Sequence, residues 1–188
     1  MNPLYDYVST PLILLLVGRV MLYRCVAVLA ATLFSFPVLG ADFAGRVVRV
    51  IDGDTTEVLH EGRAEQVRLN GIDCPEMGQA FGRRAKQFTS DRAFGKTVSV
   101  KVLARDRYDR IIGEVTLPDG KSLNLELVSA DYAWWYRRYA PNDHVREKLE
   151  NEARNAKRGL WVDPIPVPPW EYRRSHGAVL NYAKRTEG

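Results

Sequence analysis

The sequence predicts an α+β protein built on a small closed β-barrel of five strands, with about three helices. Five short segments alternate apolar and polar residues with the period of a strand, and glycines mark several of the turns between them. Three other segments have the spacing or composition of helices. We expect closure into a barrel because closure removes the unpaired edges that an open sheet exposes.

The strands and helices alternate in groups along the chain. The strands are predicted at 45–51, 55–59, 65–69, 97–103 and 111–117. The helices are predicted at 79–94, 124–130 and 145–157. Gly53 and Gly62 stand at turns of the first three strands, and Gly95 and Gly159 stand where the first and last helices end. The strand count favours an OB-fold barrel as the fold class.

A proline-rich segment, 163–169, follows the last predicted helix. Proline cannot continue a helix interior or join a central strand, so we expect a rigid extended segment laid over the domain. Residues after about Arg174 are expected to be frayed. We assign the barrel domain to 42–163 and a proline-rich tail to 164–188.

Residues 1–41 are predicted to be a secretory signal. The uncharged run Cys25–Leu39 has 15 residues, follows Arg24 and ends in small residues, which is the order of a signal with its cleavage site. A spanning helix needs roughly 20 residues, so we expect cleavage before residue 41 or 42 and a secreted or periplasmic protein. Met21 begins a complete signal by itself, which makes 1–20 an over-extended gene start by hypothesis. The alternative is an anchor that stays uncleaved.

Composition narrows the class of protein further. The hydrophobic and charged fractions, 46% and 27%, are those of a globular protein and exclude wholesale disorder. A net charge of +4 is compatible with a polyanionic partner without demanding one. Removal of 1–41 leaves Cys74 as a single cysteine, which has no partner for an internal disulfide.

Four acidic residues, Asp52, Asp54, Asp73 and Glu76, lie next to predicted strands. Aspartate and glycine form turns readily, so a purely structural interpretation of Asp52-Gly-Asp54 stays open. If the second and third strands pair, however, Asp54 and Asp73 meet at one end of the barrel and form an oxygen site suited to Ca²⁺ or Mg²⁺. The histidines lack the spacing of zinc ligands.

Further side chains have a functional and a structural interpretation. Arg68 and Arg110 are suited to bind phosphate oxygens, but strand arginines are often surface residues. Cys74 has no histidine near it in the sequence, which favours a buried thiol over a nucleophile. Trp134 and Trp135 are suited either to base stacking or to core packing.

The chain resembles the staphylococcal nuclease family. The residues that carry the resemblance are I-D-G-D-T at 51–55, R-L-N-G-I-D-C-P-E at 68–76, D-R-Y-D-R at 106–110, Y-A-P-N-D at 139–143 and G-L-W at 159–161. The match runs from about residue 45 to 161, and the tail V-P-P-W-E-Y-R-R at 167–174 resembles that of secreted bacterial members.

The resemblance implies an OB-fold barrel and a calcium-dependent endonuclease that cleaves DNA and RNA and leaves 3′-phosphate ends. It implies Asp54, Asp73 and the carbonyl of Cys74 as the Ca²⁺ site, with Asp52 nearby. It implies Glu76 as general base and Arg68 and Arg110 as phosphate-binding arginines. It implies Arg107, Tyr108 and Tyr139 as substrate-binding residues. We expect a monomer without an obligate protein partner, and no membrane association after signal removal.

The chain departs from the family pattern at several points. Cys74 stands where the familiar member has threonine, and Arg137 stands where a second nucleotide-flanking tyrosine is expected. The loop after Glu76 is also short. The competing interpretation is a non-catalytic nucleic-acid-binding or protein-binding barrel, but such modules typically lose the metal-binding acids or the arginines that this chain keeps.

Overall fold

A computed structural model describes residues 41–176. Of the predicted signal, 1–41, only Ala41 is described. The proline-rich tail is described as far as His176, and its remaining residues lie outside the described range. Within 41–176, none of the helices is both long enough and apolar enough to cross a membrane.

Five strands form a closed barrel in the order β1-β2-β3-β6-β5. Their bounds are β1 Phe43–Val50, β2 Thr55–His60, β3 Arg63–Leu69, β5 Thr97–Arg105 and β6 Ile111–Thr116. Neighbouring strands are antiparallel except β3 and β6, which pair in parallel and close the barrel. This strand order is that of an OB-fold barrel, and the predicted fold class is confirmed.

The barrel interior is filled by the apolar residues of the alternating pattern. In β5, exposed and buried positions alternate, and Val98, Val100 and Val102 are buried. Side chains of successive strand residues point to opposite faces, which is why this pattern gives one apolar face. Each such buried side chain contributes about 1.5–3 kcal/mol relative to an exposed one.

Three α-helices surround the barrel: α1 Gly82–Ala93, α2 Leu123–Ser129 and α3 His144–Asn155. α1 and α2 contact barrel strands, and α3 packs against α2. α1 begins three residues later than the predicted 79–94, because Phe81 adopts a left-handed conformation with φ of 67° and interrupts the helical turn. At Gly82 a Cβ atom would lie 1.9 Å from the carbonyl oxygen of Glu76, so only glycine allows the chain to fold back on this residue. The late start leaves a loop between Glu76 and α1.

Residues 169–176 form a further helix, here called the C-terminal helix. The expectation of frayed residues after about Arg174 is wrong as far as His176, the last described residue. Pro169 stands at the helix start, where its missing N–H costs little, and the N–H of Tyr172 donates to the carbonyl of Pro168 at 3.0 Å. Trp170 anchors the helix by stacking on Tyr136, with ring centres 5.0 Å apart.

A small two-stranded sheet, which the sequence pattern did not reveal, lies beside the barrel. It pairs β4, Ile72–Asp73, with β7, Trp134–Trp135. The buried carboxylate of Glu150 on α3 accepts hydrogen bonds from the backbone N–H of Trp135 at 3.2 Å and from Arg137 at 2.9 Å. α3 therefore fixes β7, and β7 in turn fixes the strand that carries Asp73. Both tryptophans are buried, which confirms core packing over base stacking.

Candidate active site

The turn between β1 and β2 directs Asp54 inward. The N–H of Ile51 donates to the carbonyl of Thr55 at 2.9 Å and closes the turn. Asp52 Oδ1 accepts from the N–H of Asp54 at 3.0 Å, which is a turn stabilised by the aspartate side chain. Asp54 itself is only 4% exposed. Asp52 thus shapes the turn, and Asp54 is the member of the pair that is buried.

Gly53 holds this turn against α1. Thr89 Oγ1 on α1 donates to the carbonyl of Gly53 at 2.6 Å. A Cβ atom at Gly53 would lie 2.7 Å from Cβ of Cys74 and 2.8 Å from Cβ of Ala85. The backbone can approach both neighbours only because this residue has no side chain.

Gly53→Ala is expected to destabilise the fold by about 2 kcal/mol, because the added methyl group overpacks a site with no room to yield. The measurement is urea unfolding, with a lower midpoint at unchanged slope. Gly62→Ala is the control: a Cβ there meets nothing within 4 Å, although φ is +77°. That variant should lose only about 1 kcal/mol of stability, the cost of placing a side chain on a backbone with positive φ. An equal loss in both variants would show that crowding at Gly53 is not the cause.

Asp73 reaches the same end of the barrel from β4. The guanidinium of Arg68 contacts both acids, with Nη1 3.1 Å from Asp54 Oδ1 and Nη2 2.7 Å from Asp73 Oδ1. Asp54 Oδ2 also accepts from the backbone N–H of Cys74 at 2.6 Å. The structure thus brings Asp54, Arg68 and Asp73 together, and we call these three residues the acidic centre.

Arg68 is itself held on two further sides. Its Nη1 donates to the carbonyl oxygens of Leu69 at 3.0 Å and Ile72 at 3.1 Å. Its side chain is only 14% exposed. Arg68 is therefore not a surface residue with a packed stem but a largely buried bridge between the two acids, and its binding of phosphate stays a prediction.

Burial dominates the electrostatics of the acidic centre. It raises the pKa of Asp54 to about 8, against the opposing effect of Arg68 and with repulsion from Asp52 and Asp73. Burial also raises the pKa of the Cys74 thiol well above its ordinary value, and the neighbouring Asp54 adds to the rise. A thiol with a raised pKa is a poor nucleophile, which favours the buried-thiol interpretation of Cys74.

Glu76 lies in the loop between β4 and α1. Its backbone N–H donates to Gln79 Oε1 at 2.8 Å, which fixes the loop. Its side chain is 37% exposed, and Oε1 accepts from Arg173 Nη1 at 2.6 Å. Arg173 also contacts Asp73, so it links Glu76 to the acidic centre. Arg173 belongs to the tail motif at 167–174, which was not expected to contribute to the site, and it lies 97 residues from Glu76.

Arg110, Arg107 and Tyr108 form a separate group before β6. Arg110 directly precedes β6, whose first residue, Ile111, pairs with Val67 of β3. Arg110 therefore stands at the start of the strand that neighbours the strand of Arg68. The Arg110 side chain donates to Asp106, with Nε 2.8 Å from Oδ2. Desolvation opposes the effect, but these hydrogen bonds hold the pKa of Asp106 below its ordinary value.

The aromatic residues of the predicted substrate site are exposed. Tyr108 is 64% exposed, with its hydroxyl 2.7 Å from Arg107 Nη2, and Tyr139 is 63% exposed. Tyr139 packs edge-on against Tyr136, with ring centres 4.9 Å apart. Arg137, at the expected tyrosine position, lies over the ring of Trp135 at 4.2 Å and pairs with Glu150. Its guanidinium is therefore committed to protein contacts.

The donor set fits a hard divalent cation. Among residues 41–176, no group of three or more His, Cys, Asp or Glu side chains is arranged to hold a metal ion. Asp54 and Asp73 nevertheless share one guanidinium, and a backbone carbonyl follows directly at Cys74. Carboxylate and carbonyl oxygens are the ligands that Ca²⁺ prefers, and a cation here would stabilise the charged form of the buried Asp54.

The OB-fold barrel carries a buried acidic centre at one end and exposed tyrosines and arginines on its surface. This combination is typical of an enzyme that acts on nucleic acid. The family described as "Staphylococcal nuclease homologue" matches residues 66–163. The chain belongs to this family, and the activity that follows from membership is that of a nuclease.

Individual relatives agree with this assignment. A protein named "Uncharacterized endonuclease" from Escherichia coli is 50% identical over 141 residues, which cover 75% of this chain and 92% of that protein. "Micrococcal nuclease" from Shigella flexneri is 42% identical over 167 residues, which cover 84% of this chain and 95% of that protein. "Staphylococcal-like nuclease CAN1" from Arabidopsis thaliana is 34% identical over 127 residues, covering 68% of this chain and 38% of that protein.

Proposed function

We propose that the protein is a calcium-dependent endonuclease that hydrolyses DNA and RNA and leaves 3′-phosphate ends. The observation that carries the proposal is the contact of one guanidinium, that of Arg68, with two buried carboxylates, Asp54 and Asp73. The site offers oxygen ligands for a cation and a fork of N–H donors for a phosphate next to one another.

The residues proposed to hold Ca²⁺ are Asp54, Asp73 and the backbone carbonyl of Cys74. When bound, the cation supplies Lewis-acid polarisation of the phosphodiester. Cysteine in place of threonine leaves this ligand unchanged, since the contact uses the main chain. The thiol itself is buried in the hydrophobic core close to Gly53.

Glu76 is proposed to take a proton from the water that attacks phosphorus. A bond forms between the water oxygen and phosphorus, the bond from phosphorus to the 5′ oxygen breaks, and that oxygen leaves as a hydroxyl with a proton from solvent. Arg68 and Arg110 stabilise the additional negative charge on the phosphate oxygens as it develops. The products are a 3′-phosphate and a 5′-hydroxyl.

Arg107, Tyr108 and Tyr139 are proposed to contact the nucleotide next to the cleaved bond. Two of them are exposed aromatic residues, which stack on bases of any sequence. We expect single-stranded or frayed DNA to be favoured over a closed duplex. We also propose that the protein acts as a monomer, outside the cytoplasm, after removal of residues 1–41.

The test uses heat-denatured DNA and RNA with the purified protein, with CaCl₂ or with a chelator. Cleavage is expected to fall by at least about 1,000-fold without the cation, since Lewis-acid polarisation is worth several kcal/mol. Product ends should resist 3′ extension by a polymerase until they are treated with a phosphatase. If the protein binds single-stranded DNA but cleaves it with none of the divalent cations tested, that result would instead support the non-catalytic barrel.

A further inference from the structure

The C-terminal helix places the positively charged side chain of Arg173 at the acidic centre. Arg173 Nη2 lies 2.8 Å from Asp73 Oδ2, and its Nη1 lies 3.3 Å from Asp73 Oδ1. The same Nη1 lies 2.6 Å from Glu76 Oε1. One side chain therefore links the carboxylate proposed to bind metal to the carboxylate proposed to act as base.

The insertion belongs to a docked segment and is not a single surface ion pair. Trp170 stacks on Tyr136 with ring planes 3° apart, and its ring centre is 5.7 Å from that of Trp134. Upstream of the helix, the carbonyl of Val167 accepts from Gln79 Nε2 at 3.1 Å. The segment is thus tied both to β7 and to the loop that carries Glu76.

The contacts of Arg173 conflict with cation binding at the same oxygens. Arg68 already donates to Asp73 Oδ1 at 2.7 Å, so both oxygens of Asp73 contact guanidinium groups. A divalent cation at Asp73 would meet the positive charge of Arg173 at close range, where like charges repel strongly. While the helix is docked, Arg173 also donates to Glu76 Oε1, so that oxygen is engaged by a guanidinium.

We propose that the C-terminal helix is a latch: Arg173 and a divalent cation compete for Asp73, so cation binding frees the helix and helix docking weakens cation binding. The inference rests on the calcium site of the proposed function. Coupling between two binding events is reciprocal, so each should weaken the other by the same factor. Release of Arg173 would at the same time break its ion pair with Glu76.

Calorimetric titration of CaCl₂ into the purified protein tests the competition. Arg173→Gln is expected to bind Ca²⁺ about three- to tenfold more tightly than the wild type, the range for a partly exposed ion pair. Arg173→Lys, which keeps the charge but loses the fork, should fall between the two. Arg174→Gln removes the same charge one residue further on and should match the wild type within about twofold, since screened charges interact weakly. Unchanged or weaker binding in Arg173→Gln would overturn the latch, as would absence of Ca²⁺ binding in every variant.

Hydrogen exchange at residues 169–176 supplies a readout independent of cleavage. Wild-type amides there should exchange faster with CaCl₂ than without it, whereas those of Arg173→Gln should already exchange fast and show no further change. Protection that CaCl₂ leaves unaltered in the wild type would contradict the latch. Tighter Ca²⁺ binding in Arg173→Gln without cleavage of DNA would refute the proposed function alone. Calcium-dependent cleavage with equal Ca²⁺ affinity in both proteins would refute the latch alone.

Discussion

Glu76→Gln is expected to lower the rate of DNA cleavage at saturating Ca²⁺ by about 10²–10⁴-fold, the range for loss of a general base. Glutamine has the shape of glutamate but cannot accept the proton of the attacking water. The loop should keep its position, because the contact with Gln79 uses the backbone N–H of residue 76. The measurement is single-turnover cleavage of a labelled single-stranded oligonucleotide, with the unfolding midpoint recorded in parallel.

Glu61→Gln is the matched control for this variant. Glu61 lies in the exposed turn between β2 and β3, where it makes a long contact of 3.9 Å with His60. Glu61→Gln removes the same charge far from the acidic centre. Its cleavage rate should stay within about twofold of the wild type, as expected for a screened surface charge. A Glu76→Gln enzyme with the wild-type rate and wild-type dependence on pH would assign the base to another group.

The parts of the fold that sequence predicts well are those with local signals. Alternation in β5 predicts a strand because every second residue is buried, and the observed pattern of Val98, Val100 and Val102 follows this directly. The Asp52-Gly-Asp54 turn is likewise a local feature, because the N–H of Asp54 donates to Asp52 Oδ1 two residues away. Asp73 could be placed near Asp54 because β2 and β3 pair over six registered positions, from Thr55 with Arg68 to His60 with Arg63.

The parts that sequence did not predict depend on contacts between distant segments. β4 and β7 have two residues each, too few to show a period, and they exist because Ile72 pairs with Trp135. The C-terminal helix follows a proline-rich segment and is held by Trp170 on Tyr136. Arg173 approaches Asp73 from 100 residues away, so nothing in its own neighbourhood marks it as a member of the site.

Arg68→Ala is expected to destabilise the fold by about 3–5 kcal/mol, because it leaves two buried carboxylates without their shared partner. Asp54 and Asp73 are each 4% exposed or less, so water cannot replace the lost guanidinium. Cleavage should be lost as well. Since the loss of fold would obscure the loss of function, urea unfolding of this variant measures only the structural part.

Arg68→Lys separates the two roles. Lysine keeps the charge but, as a point donor, cannot span four acceptors that the guanidinium reaches between 2.7 and 3.1 Å. We expect a folded protein whose cleavage rate falls by about 10²–10³-fold, the effect of removing one well-placed donor to a developing charge.

Arg49→Lys is the control, because Arg49 is 64% exposed and pairs only with Glu57 among the described residues. It should change stability by less than about 1 kcal/mol and leave cleavage intact. If Arg68→Lys kept both the stability and the rate of the wild type, charge alone would suffice at this position. The fork geometry that links the two acids would then contribute to neither fold nor catalysis.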